Sequence, residues 1–158
     1  MERENHRMLD RIDRQILDAL QADGRLTMSE LAERVSLSPS PCWRRVQLLE
    51  RSGYITGYHA RLDRKRLGLG VHGFVSVRMD NHTPAVADHF ERQVVALPEV
   101  IACHNLSGVY DYQLELVAAD HEGFARLVRE KVRSLPGVKD IYTSFTLREL
   151  KSPGPIPL

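Results

Sequence analysis

Between Ser38 and Arg51 the chain places Ser38, Ser40, Trp43, Arg44, Arg45, Gln47 and Arg51 within fourteen residues. Guanidinium and carboxamide groups pair bidentately with purine edges, and hydroxyls at a helix start donate to phosphate oxygens. These seven residues form a candidate DNA-binding set. Arg44 and Arg45 are its base readers or phosphate contacts, and Trp43 either packs beneath the segment that follows or reaches the DNA backbone. The competing reading is a solvated basic face, with Ser38 or Ser40 acting only as a helix cap.

Other chemistries find less support. The two cysteines, Cys42 and Cys103, lie far apart and read as reduced thiols. Cys103-His104 invites a metal reading, but no pair among these residues has CxxC or HxxxH spacing, so no metal site is expected. There is no phosphate loop, nucleophile elbow or His-Glu-x-x-His, so no catalytic residue is assigned and the chain is not expected to be an enzyme. No apolar run approaches the ~18 residues of a membrane span, and the opening residues carry no signal-peptide core, which places the expected location in the cytoplasm.

Charge is unevenly spread over the 158 residues. Residues 1–66 hold thirteen Lys/Arg against ten Asp/Glu, and the remainder nine against eleven. Residues 34–66 carry eight basic groups against Glu50 and Asp63 alone, a local footprint suited to phosphate. Arg61 and Arg64-Lys65-Arg66 would add sequence-independent affinity.

The elements that must position these groups read clearly. Leu9, Ile12, Ile16 and Leu20 form one apolar stripe, which predicts a helix over 9–21 ended by Asp23-Gly24. Thr27 with Glu30 is a capping-box pair opening a short second helix. Ser38-Pro39-Ser40-Pro41 opens a third, whose inner face is Cys42, Val46 and Leu49. Two short helices joined by about three residues make a helix-turn-helix spanning 28–47. Residues 54–58 and 60–62 read as two short strands, a wing.

The second half has a different rhythm. Strands are expected at 71–79, 100–106, 112–117 and 141–147, with helices over 84–97 and 121–135. Leu97-Pro98-Glu99-Val100 and Leu135-Pro136-Gly137-Val138 repeat one helix-to-strand junction. The order is βαββαβ, so the fold class is α+β: a winged helix-turn-helix followed by a ferredoxin-like unit. The expected boundaries are 7–66, 67–150 and an extended Pro-rich tail, 151–158. With apolar residues such as Phe74 available for its other face, the sheet is expected to be covered there by a second subunit.

Leu9-Asp10-Arg11-Ile12-Asp13-Arg14-Gln15-Ile16-Leu17, Asp23-Gly24-Arg25, Leu37-Ser38-Pro39-Ser40-Pro41-Cys42, and Arg45-Val46 with Leu49-Glu50 stand in the first half. Gly53 with Ile55, Gly57-Tyr58, Leu67-Gly68, Ser107-Gly108 with Asp111-Tyr112, and Leu135-Pro136-Gly137-Val138 follow. In these residues, their order and their spacing the chain resembles the Lrp/AsnC family of regulators. The resemblance implies dimers assembling to octamers on double-stranded DNA, with a small effector, an amino acid, and no cofactor. It implies effector-binding residues in the loop Leu106, Ser107, Gly108, Tyr110 and Asp111, and on the last strand at Thr143, Ser144 and Phe145. Gly108 would let the backbone approach a ligand, and Asp111 would meet an α-ammonium group. The competing reading is a plain hairpin loop with Asp111 as a turn acceptor. Ser36, Val109 and Trp43 depart from the family pattern. An architectural DNA-compacting protein, or a small enzyme on the ferredoxin-like fold, is the alternative function.

Overall fold

A computed structural model describes residues 8–152 and 154–158; the expected domain start at residue 7, and Pro153 in the tail, lie outside the described residues. The chain separates into two compact units. One runs through Arg61 and includes Lys151–Leu158; the other is Leu62–Leu150. The division thus falls after Arg61 instead of Arg66, and the Pro-rich segment belongs to the first unit.

The first unit is built on α1 (Arg11–Ala22), α2 (Met28–Arg34) and α3 (Pro39–Arg51). Asp10 caps α1 through a reciprocal capping box with Asp13, and Thr27 does the same for α2 with Glu30. Ile16, Leu17, Leu31, Ala32, Val35, Cys42, Val46 and Leu49 form its core. Between α2 and α3 the chain turns through Ser36, whose φ of 54° lies in the left-handed region. That conformation costs a side-chain-bearing residue ~1–2 kcal/mol, partly offset in a glycine by its greater unfolded freedom. Ser36→Gly is therefore expected to raise the stability of this unit by about 0.5–1 kcal/mol, read as a higher midpoint in thermal denaturation.

Two local expectations are corrected. Ser38 has N-cap backbone geometry, but its hydroxyl makes no capping bond. Among the described residues, 54–62 form no strand. The segment lacks the Asn-Gly or Asp-Gly turn that would close a hairpin, and an isolated two-stranded ribbon is marginal in water. Instead, the amides of Tyr54 and Ile55 both close on the Leu49 carbonyl as α3 ends.

The second unit holds β1 (Val71–Met79), α4 (Pro84–Val95), β2 (Val100–Asn105), β3 (Tyr112–Ala118), α5 (His121–Leu127) and β4 (Val138–Phe145). The sheet order is β2-β3-β1-β4, all antiparallel. Along β1 the residues Val71, Gly73, Val75, Val77 and Met79 are buried beneath the helices, while His72, Phe74, Ser76 and Arg78 face the other side. Phe90, Val94, Leu114, Leu116, Phe124 and Val132 complete this core.

Here too the expected boundaries shift. The helix read as continuous over 121–135 passes at Val128–Val132 into a π-helical turn, marked by Arg133 N–H donating to Val128 O at 2.9 Å. The wider turn keeps Phe124, Leu127, Val128 and Val132 all inward. The last strand begins at Val138 and ends at Phe145, three residues earlier than the expected start. It starts early because Gly137, at φ 74°, turns the chain straight into pairing with Met79. Among the described residues, no helix is long and apolar enough to cross a membrane.

Candidate DNA interface and effector site

Helix α3 sorts its side chains by period. Cys42, Val46 and Leu49 are buried, whereas Ser40, Trp43, Arg44 and Arg51 are exposed on the opposite side, with Gln47 half-buried among them. Ser38 stands exposed at the start of the helix, so the outer face offers hydroxyls at its first turn and guanidinium and carboxamide groups along its length. Trp43 is 51% exposed and is not packed away.

Arg45 does not join that face. One of its guanidinium nitrogens donates to Asp10 Oδ2 and Asp13 Oδ1, both at 2.7 Å. Asp13 is completely buried, and Arg45 supplies a counter-charge to this interior carboxylate. The Asp13 amide and the Arg45 guanidinium hold the Asp10 carboxyl below the ordinary carboxylate range. Arg45 is thus turned to the α1–α3 contact, and the exposed cations of α3 are Arg44 and Arg51. Gln47 Nε2 donates to Glu50 Oε2 at 2.9 Å, and Tyr58 Oη donates to Glu50 Oε1 at 3.1 Å. Burial and the facing carboxylate raise the Tyr58 phenol. The Cys42 thiol is fully buried, which raises it too and leaves it unsuited to redox sensing.

In the second unit, the loop from Leu106 to Asp111 is closed by Leu106 N–H donating to Asp111 O at 2.8 Å. Leu106, Ser107 and Gly108 are exposed, and Gly108 adopts φ 149° with open space where a side chain would stand. Asp111 is already engaged. Its Oδ2 accepts the Met79 amide at 2.7 Å and its Oδ1 pairs with His82 Nε2 at 2.9 Å. The Met79 amide and His82 depress the Asp111 carboxyl. This carboxylate anchors the loop to the end of β1, and any ligand ammonium would have to share it. The Tyr110 ring lies 6.4 Å from that of Tyr142 in stacked orientation.

Within one chain the loop and the last-strand residues sit at different levels along β1. The loop stands at the Val77–Met79 end of β1, whereas Thr143, Ser144 and Phe145 pair with Val75, Phe74 and Gly73. Thr143 and Phe145 face the helices, where they line a hollow of about 400 Å³ with Phe124, Val128 and Arg129. Ser144, opposite Phe74, faces the uncovered side of the sheet. Sequence reasoning missed His82 and Tyr142 beside the loop. Tyr142 was within reach, because it precedes Thr143 by one residue and so shares a sheet face with Ser144. No pattern marked His82. Among the described residues there is no cluster of His, Cys, Asp or Glu fit to hold a metal ion.

Residues 9–56 match the winged helix-turn-helix DNA-binding domain, and residues 72–156 match the Lrp/AsnC ligand binding domain. Fold and site together define a DNA-binding transcriptional regulator carrying a ligand-binding domain. The leucine-responsive regulatory protein of Escherichia coli K12 is 42% identical over 143 residues, covering 90% of this chain and 87% of that protein. A transcriptional regulator of Neisseria meningitidis, solved in complex with L-Met, superposes with a TM-score of 0.90 at 39% identity, covering 95% of this chain and 97% of that one. An AsnC family regulator from Agrobacterium tumefaciens gives a TM-score of 0.88 at 33% identity, covering 94% and 97%. The chain belongs to the Lrp/AsnC family, and these relatives are transcriptional regulators, not enzymes.

Proposed function

We propose that this chain is a cytoplasmic, sequence-specific transcription regulator whose DNA binding and assembly respond to an amino acid. The observation that carries the DNA half is the exposed row Ser40, Trp43, Arg44 and Arg51, with half-buried Gln47 among them, on a helix presented by a helix-turn-helix. Arg44, with its exposed planar fork, is the primary base reader, and Ser38 with Arg51 takes phosphates. Arg45 serves by fixing the helix.

The effector half rests on the loop Leu106–Asp111 and on the L-Met bound to the Neisseria relative. The loop and Thr143–Phe145 sit at different levels along β1, and a second copy would bring the two into one pocket. Homo-oligomers, dimers assembling to octamers, would supply it. The uncovered sheet face around Phe74 gives such copies a surface to share. An amino acid that binds one arrangement of copies more tightly than another then shifts which arrangement meets DNA.

Gel shifts on the chain's own promoter region test this. Arg44→Ala is expected to weaken promoter binding about 5- to 150-fold while leaving the melting temperature unchanged. Titration with the twenty amino acids, methionine first, is expected to change promoter affinity or particle size for at least one. Equal affinity for promoter and random duplex, with no amino-acid response, would leave DNA compaction as the function.

A further inference from the structure

The segment Lys151–Leu158 is docked into the DNA-reading unit. The Ile156 amide donates to Gln21 Oε1 at 2.6 Å, and Gln21 Nε2 donates to Ile156 O at 3.1 Å. A carboxamide offers the same donor–acceptor pair as a peptide group, so the side chain of Gln21 stands in for one residue of a neighbouring strand. Pro155 and Pro157 flank Ile156 and fix an extended backbone without competing donors. Ile156 and Leu158 then close one side of an apolar hollow of about 390 Å³, walled by Leu17, Leu20, Tyr54 and Tyr58.

The far wall of that hollow leads to the reading face. Tyr58 donates to Glu50, and the other oxygen of Glu50 holds the amide of Gln47, on the exposed side of α3. The amides of Tyr54 and Ile55 close on the Leu49 carbonyl, and residues 54–58 run on from there outside any strand. Ile156 stays 70% exposed, so the contact is shallow enough to open and close. The chain enters this segment shortly after β4 ends at Phe145, a candidate effector residue.

We propose that Lys151–Leu158 is an intramolecular ligand of its own chain's DNA-reading unit, a strap that orders residues 54–58 and, through Tyr58 and Glu50, presets Gln47 for DNA. The link to DNA rests on the function proposed above; the docking does not.

Three full-chain variants and a shortened chain test it: Gln21→Ala, Ile156→Asp, Tyr58→Phe, and a chain stopped at Leu150. Amide hydrogen exchange is read over residues 54–58, with β1 as the internal control, and affinity is read on the promoter fragment. Gln21→Ala, Ile156→Asp and the shortened chain are each expected to speed exchange over 54–58 about tenfold and to leave β1 unchanged. Adding Gln21→Ala to the shortened chain should bring no further increase, because both remove one contact. All three should weaken promoter binding about fivefold, and Tyr58→Phe should reproduce that loss. Unchanged exchange over 54–58 in Gln21→Ala and the shortened chain overturns the docking. Faster exchange with unchanged promoter affinity overturns the link to Gln47. A parent chain that fails to bind its promoter counts against the regulator reading, while the exchange measurement still decides the docking.

Discussion

Arg45→Ala is expected to destabilise the DNA-reading unit by about 2–4 kcal/mol, a fall in melting temperature of roughly 10–20 °C. The reason is Asp13, a fully buried carboxylate that loses the guanidinium 2.7 Å away. Removing one member of a buried pair leaves a charge in a poorly polarisable interior, and this costs more than the pair itself contributed. The figure sits below the fully buried case because Arg45 keeps 27% and Asp10 48% of its side chain exposed. The neighbouring Arg44→Ala is expected to do the reverse, sparing stability and losing DNA. Thermal denaturation followed by circular dichroism separates the two; equal stability losses would sink the assignment. Acid sharpens the contrast. The Asp10 carboxyl is lowered in the folded state, so its stabilisation is present above the ordinary carboxylate range and is lost as pH falls through the lowered value. Between about pH 5 and pH 2 the parent should therefore lose stability more steeply than Arg45→Ala, which lacks one of the groups that lower Asp10.

Gly137→Ala is expected to destabilise the ligand-binding unit by about 2–4 kcal/mol. Gly137 sits at φ 74°, where a methyl group costs ~1–2 kcal/mol in backbone strain alone. That methyl would also overlap Val86 Cγ1 and stand 2.8 Å from Met79 Cε, against the packed end of β1. Here the glycine carbonyl also accepts the Asp80 amide at 3.0 Å, so the backbone cannot simply swing away. Chemical denaturation of the full chain would show the second unit's transition moving to lower denaturant while the first stays in place. If that transition does not move, the tight junction is not a constraint in solution.

Both cases bear on what could be read from sequence. The three helices, the Thr27–Glu30 cap and the alternation along β1 were legible because each is local, set by periods of 3.6 and 2 and by capping chemistry. The βαββαβ order followed from the same periods. Arg45 was misplaced on the outer face, although it lies three residues after Cys42 and four before Leu49, on the flank of the buried stripe. The warning was Asp13, an acid set among the apolar stripe of α1, which had to find a cation somewhere. The repeated Leu-Pro-x-Val junction looked equivalent in both copies. Yet only the second requires a left-handed residue, and the first carries Glu99 at that place. Tyr54 to Leu62 read as strands by composition alone, but strand formation needs a partner that composition cannot supply. The residues expected to hold an effector fall on a loop and on a strand. Their separation across the sheet depends on strand order and register, which only the tertiary pairing fixes.

The thiol sealed beneath α3 gives the molecule a clock of its own. Cys42 has no exposed surface, and burial disfavours the thiolate that alkylating reagents attack. Its alkylation must wait for the three-helix unit to part, so the rate at which that sulfur is modified counts openings of the unit. Bound duplex, which opposes such parting, would slow the count.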